Sequence, residues 1–380
     1  MTQQGAGGEV VVQAGEVRSV RIESLRALAA MAVLVGHVFG QARGYDPART
    51  LATLGDRIIF GGGFGAYLFF ALSGYLLYLP FARRALAGGR EIDLAQYARN
   101  RALRILPLYY VALVVVLLVA ESGGSLHQWL TFATFTENFT HSRDDITAVN
   151  GVVWTLVIEV YFYLLLPLIA YVVARLARGS VARAGIVLGL AGIVSLAVRA
   201  ATFYRAGHIL NPLLDDSIVS TFFFFVAGML VALLRIAWAA GRPAWVRGPI
   251  AHTDAWIAAS AVLWLVLLDN YSRGYLAAPA SFLLLGACVL PLRQGLVVRG
   301  LEWPVLAAVG IASYSLYIWQ LPLLEAMSHL SIEPSAFLPY LAVAGPLAIA
   351  VAFLSYRVVE EPFLRLRRRW GTTVAGPGAG

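Results

Sequence analysis

Long apolar runs, broken by short polar stretches, organise this chain from end to end. Ten of them, each about 17–25 residues, can cross about 30 Å of hydrocarbon as helices. They cover residues 24–42, 64–82, 103–120, 152–174, 184–203, 217–238, 253–270, 275–291, 304–325 and 337–357. A helix satisfies every backbone polar group within its own segment, as lipid requires. The pattern therefore predicts an all-α fold: a polytopic membrane helix bundle of about ten transmembrane helices. Runs seven and eight are separated only by "NYSRG" and predict an antiparallel hairpin.

Charge gives the bundle its direction. Every Lys/Arg-type cation is arginine, and with the N-terminus on the cytoplasmic side 22 of the 29 fall there and 7 on the far side. That split obeys the positive-inside rule. One helix more or fewer would reverse every later loop and spoil it, so the expected topology has ten spans with both termini cytoplasmic.

Composition agrees with this reading. The chain is 59% hydrophobic and only 13% charged, with a mean hydropathy of +0.74. A soluble domain of 380 residues needs far more polar surface. The net charge of +8 does not imply nucleic-acid binding, because the arginines lie between apolar runs and form no basic domain. A single cysteine, Cys288, allows neither an intrachain disulfide nor a cysteine metal site. Histidines 127, 141, 208, 252 and 329 are isolated, and no metal site is expected. Residues 1–20 read as a flexible tail, 21–363 as one transmembrane domain, and 364–380 as a basic and then disordered tail. The loop 121–151, polar and aromatic with Asp144 and Asp145, is long enough to cover a site at the outer face.

A few ionisable residues stand out against this background. In the first run Arg26 and His37 are eleven residues apart, about three turns and roughly 16 Å along the axis, so both project from one side. Arg26 alone fits snorkelling to headgroups. His37 is harder to assign to packing, and an imidazole that titrates near neutral pH suits proton transfer. In the fourth run Glu159 sits in mid-membrane with Thr155 and Tyr163 four residues to either side, on one face. A carboxylate there is costly and marks either a functional site or an interhelical ion pair. Arg101 and Arg104, three apart on a helix, present two guanidiniums together, a geometry suited to phosphate as well as to topology signalling. Glu360 and Glu361 at the cytoplasmic end of the last run are placed to pair with such arginines. Ser73-Gly74 in run two, and Ser313, Ser315, Tyr317 and Gln320 in run nine, read as polar helix contacts. Pro322 adds an expected kink there. No P-loop pattern occurs.

Taken together, "RIESLRALAAMAVLVGHV", "FFALSGYLL", "RNRALRILPLYY", "VVWTLVIEVYFYLLLP", "SYSLYIWQLP" and "YRVVEEPF" resemble the acyltransferase 3 family of integral-membrane O-acyltransferases. The six stretches keep the family's order and span residues 21–363. The resemblance implies transfer of an acyl group, with acetyl expected, from acyl-CoA to a hydroxyl of a sugar, glycolipid, envelope polysaccharide or macrolide. It implies a bacterial plasma (inner) membrane location, acyl-CoA as a donor substrate and not a bound cofactor, the lipid bilayer and the acceptor as partners, and no nucleic acid. Residue by residue, it points to His37 and Glu159 as catalytic, and to Arg26, Arg101 and Arg104 as holding the donor. Glu159 is then expected to orient the His37 imidazole, in direct transfer or through an acyl-histidine. Where family members often carry His, this chain has Gln320. No appended esterase-like domain is expected. The competing class is a transporter or flippase, since charge at mid-membrane fits transport as well. Against it, the sequence shows neither an inverted repeat nor a helix pair broken by Gly or Pro.

Overall fold

A computed structural model describes residues 4–5, 9–12, 16–120, 123–139, 142–204, 216–241, 243, 246–330 and 336–371. The long helices are α1 (Val20–Ala42), α2 (Gly65–Ala87), α3 (Leu94–Val115), α4 (Val153–Ala177), α5 (Val181–Tyr204) and α6 (Ile218–Ala240). They continue with α7 (Thr253–Asp269), α8 (Ala277–Val289), α9 (Pro304–Ile311), α10 (Ser313–His329), α11 (Phe337–Ser355) and α12 (Glu361–Gly371). The molecule is the expected all-α polytopic helix bundle. Among the described residues eight helices are long and apolar enough to cross a membrane, and a ninth crossing is formed if α9 and α10 count as one span. The remaining expected run is α7, a helix of 17 residues. It packs along α8 as the expected hairpin, joined by the 3-10 turn Tyr271–Leu276.

Three features differ from the pattern-based reading. The segment expected as a flexible N-terminal tail contains strands β1 (Gln4–Gly5), β2 (Glu9–Val12) and β3 (Glu16–Ser19), paired antiparallel in the order β1-β2-β3. Helix α3 starts well before its apolar run, because the Asp93 carboxylate caps it by accepting from the backbone N–H groups of Ala95 and Gln96. Arg101 and Arg104 consequently lie well inside the helix. The third difference is the largest. The ninth run is not one kinked helix: α9 and α10 meet at 67°. The break falls at Ala312, ten residues before the expected kink at Pro322, which lies inside α10. The broken helix pair that the sequence did not reveal is therefore present.

Helix α1 lies at the centre, touching α2, α9, α10 and α11. Glycine permits two of the closest approaches that build this core. A Cβ on Gly228 of α6 would collide with the Ala71 carbonyl of α2. A Cβ on Gly310 near the end of α9 would collide with the backbone of Glu23 on α1. The second contact docks the broken span one turn from Arg26. The last span runs from α11 through a π turn, Tyr356–Glu360, into α12; it leaves Glu360 buried at 3% exposure.

The described residues of the loop 121–151 include two short helices, Leu126–Ala133 and Arg143–Thr147. Phe132, Phe135 and Val149 join a core cluster with Tyr109 of α3 and Val153 and Val157 of α4. His127, Asp144 and Asp145 are exposed, while Glu137 is buried at 2%. Histidines 141 and 208 lie outside the described residues.

Candidate functional site

Five helices and the break between α9 and α10 enclose a polar cavity within the bundle. Arg26 comes from α1, Ser73 from α2, Arg101 and Arg104 from α3, Thr155, Glu159 and Tyr163 from α4, and Ser313, Tyr314 and Tyr317 from α10. Local periodicity explains much of this. Thr155, Glu159 and Tyr163 recur every four residues and face the cavity together; Arg101 and Arg104, three apart, do the same. The cavity measures about 90 Å³.

The charges in this cavity are unequally provided for. Arg104 pairs with Glu360 at 2.7 Å, and the two side chains are 17% and 2% exposed. The same carboxylate accepts the Ser315 hydroxyl at 2.6 Å and the Ser315 backbone N–H at 3.1 Å. It thereby caps the first turn of α10, where a carboxylate is favoured by unsatisfied N–H groups and the helix dipole. Arg26 lies 3.6 Å from Glu23 and donates from Nε to the Ser313 hydroxyl at 3.2 Å. Its guanidinium also stands 6.0 Å from the Phe69 ring centroid. Arg101 has no ion pair among the described residues, and its Nε is buried without a hydrogen-bond partner. Its guanidinium lies 5.9 Å from the centre of the Tyr163 ring.

Glu159 accepts hydroxyl hydrogen bonds from Tyr163, at 2.6 Å, and from Ser73. Thr155 and Tyr317 join α4 to α10 with a hydroxyl contact of 2.7 Å. The sequence indicated Glu159, Thr155, Tyr163 and the two arginines of α3 through helical spacing, and Glu360 as a partner for one of them. Ser73 read as a polar helix contact. Nothing local in the sequence put Ser313 beside Arg26, because that contact depends on the break in the ninth run.

His37 lies elsewhere. It is on α1 as expected, three turns beyond Arg26, but it does not line the cavity. Gln320 of α10 lies beside the ring, and Nδ1 is buried without a hydrogen-bond partner. The expectation that Glu159 orients the imidazole is corrected by this arrangement: the Glu159 carboxylate is engaged by Ser73 and Tyr163 at the Arg26 end. The structure thus gathers Arg26, Arg101, Arg104 and Glu159 in one place and leaves His37 apart, on the same central helix. Among the described residues no group of three or more His, Cys, Asp or Glu side chains could hold a metal ion.

Comparison with known proteins places this chain in a family. Residues 19–357 match the family model described as an acyltransferase domain. The chain is 27% identical to the exopolysaccharide production protein ExoZ of Rhizobium meliloti (strain 1021), over 81% of this chain and 91% of that protein. It is 24% identical to nodulation protein 10 of Rhizobium leguminosarum bv. viciae, over 90% of this chain and 92% of that one. It is also 21% identical to the O-acetyltransferase OatA of Staphylococcus aureus (strain NCTC 8325 / PS 47), over 90% of this chain. There the alignment spans only 56% of the relative's length. No solved structure matches.

Proposed function

Since the chain belongs to the acyltransferase 3 family of multi-pass membrane acyltransferases, we propose that it moves an acyl group, acetyl by preference, from acyl-CoA to a hydroxyl of a carbohydrate-type acceptor in the bacterial inner membrane. The observation that carries this reading is the cavity in an otherwise apolar bundle, lined by Arg26, Arg101, Arg104 and Glu159. Guanidiniums in a water-poor site suit a phosphorylated donor. The names of the relatives support the rest: one is an O-acetyltransferase and one acts in exopolysaccharide production. A glycolipid, an envelope polysaccharide and a macrolide all offer a suitable hydroxyl.

In this proposal the three arginines form the donor end. The pantetheine arm is long and thin, and it follows α1 towards His37, so that the roughly 16 Å between Arg26 and His37 sets the reach of the donor. Glu159 faces the arm and accepts from its amide N–H groups. At His37, unpartnered Nδ1 takes the proton of the acceptor hydroxyl as its oxygen attacks the thioester carbonyl. The C–S bond breaks, and the departing thiolate takes that proton from the His37 imidazolium, which restores the neutral imidazole. In the acyl-histidine variant the imidazole attacks first and the acceptor oxygen displaces it.

The broken span gives the transporter or flippase reading a specific observation in its favour, since discontinuous helices often line transport sites. One experiment separates the two. Purified protein in lipid vesicles is given labelled acetyl-CoA and a candidate acceptor. Label appearing in an ester, lost in His37→Ala, supports the transferase. Movement of the acceptor across the bilayer with acetyl-CoA untouched supports transport and overturns the proposal.

A further inference from the structure

Three arginines line the cavity, but their surroundings differ in kind. Arg104 is committed within the protein: its guanidinium meets Glu360 at 2.7 Å. Glu360 in turn holds both the hydroxyl and the backbone N–H of Ser315. That chain of contacts ties α3 to the π turn at the end of α11 and to the first turn of α10, just past the 67° break. Arg26 has Glu23 and Ser313. Arg101 faces the cavity with an aromatic ring beside it and no carboxylate paired to it among the described residues. A cation in such a place retains its capacity for an incoming anion. A cation already neutralised by a buried carboxylate gains little from one, because the existing pair would have to be broken first.

Resting on the acyl-CoA reading above, we infer a division of labour between the paired arginines of α3. Arg101 is the residue that meets the donor's phosphate, and Arg104 is a positioning residue that acts through Glu360 to hold the broken span. Glu360 thereby joins the functional set: it sets where Ser313, Tyr314 and Tyr317 stand in the cavity wall. Phosphate affinity and the geometry of the break are then separable properties.

The test uses the full chain, purified in detergent, with coenzyme A and phosphate-free pantetheine as calorimetric probes and thermal unfolding as a second readout. Arg101→Gln should weaken coenzyme A binding at least about tenfold, the loss of one charge-assisted contact. It should leave pantetheine binding and the melting temperature nearly unchanged, and Arg101→Lys should restore part of the affinity. Arg104→Gln and Glu360→Gln should each lower the melting temperature by about 5 °C or more and reduce turnover. They should change coenzyme A affinity much less than Arg101→Gln does. Arg104→Lys, which keeps the charge, provides a milder variant if the neutral one does not fold. Arg104→Lys or Arg104→Gln losing coenzyme A affinity as strongly as Arg101→Gln, with unchanged melting, would overturn the division. So would an Arg101→Gln protein that binds coenzyme A normally. Wild-type protein that binds pantetheine and coenzyme A equally poorly, and transfers no acyl group, instead overturns the acyl-CoA reading beneath it.

Discussion

The two ends of α1 are built differently. Around Arg26 the protein supplies its own partners: Glu23, Ser313, Glu159 with two hydroxyl donors, and Arg104 with Glu360. Around His37 it supplies almost none. The ring has Gln320 for company, and Nδ1 is buried without a hydrogen bond. Buried polar groups are nearly always paired, so one that is not calls for a reason. The contrast teaches that the Arg26 end, Arg101 apart, is assembled in advance, whereas the His37 end awaits a group from outside. An acceptor hydroxyl arriving there gives Nδ1 the partner it lacks.

The comparison is broken most directly at His37. His37→Ala should lower acyl transfer by about 100-fold or more, the range for loss of a general base, while coenzyme A affinity stays within twofold by calorimetry. Comparable loss of binding would mean that the two ends are one site. Glu159→Gln should act at the other end. It keeps the shape but removes the charge that Ser73 and Tyr163 bond to, and a fall in transfer of about tenfold is expected, most of it in KM for the donor. A kcat effect with unchanged KM would return Glu159 to the side of His37.

Packing gives a third test. Gly310→Val should push α9 off Glu23, and with it Ser313 away from Arg26. About 1–3 kcal/mol of stability should be lost, read as a drop in melting temperature. Donor affinity should weaken in parallel. If affinity is unchanged, the break does not serve the Arg26 end.

The smallest effect lies in the loop that packs on α3 and α4. Burial pushes the Glu137 carboxyl up from 4.5 to about 8, and both of its oxygens lack partners. Its proton is held more tightly in the folded protein than in the unfolded one. Between those two values the folded state binds more protons, so stability falls as pH rises, with a slope of up to about 1.4 kcal/mol per pH unit. Glu137→Gln should flatten that slope in thermal unfolding between pH 5 and pH 8, with little change in transfer at low pH. An unchanged slope would assign the dependence to other groups.

How far the sequence reached depended on the length scale. Apolar run length sufficed for an all-α polytopic helix bundle, because a lipid environment leaves the backbone few options. The i, i+4 spacing of Thr155, Glu159 and Tyr163 likewise predicted a common face, and the cavity has it. The same logic failed between Arg26 and His37: one side of a helix is not one site when the neighbouring helices differ along its length.

Sequence alone therefore determined the all-helical membrane bundle, the identity of its intramembrane ionisable residues, and the family. Periodicity and transfer free energy act within a single segment, and both can be read locally. Only the tertiary structure decided which of those residues meet. The break at Ala312 carries Ser313 to Arg26, Glu360 claims Arg104 and leaves Arg101 facing the cavity, and Glu159 turns to Ser73 and Tyr163 and away from His37. Apart from Glu159 with Tyr163, one turn on in the same helix, each of these pairings joins residues distant in sequence; it is set by how close two helices approach and how they are rotated, and no local pattern encodes that.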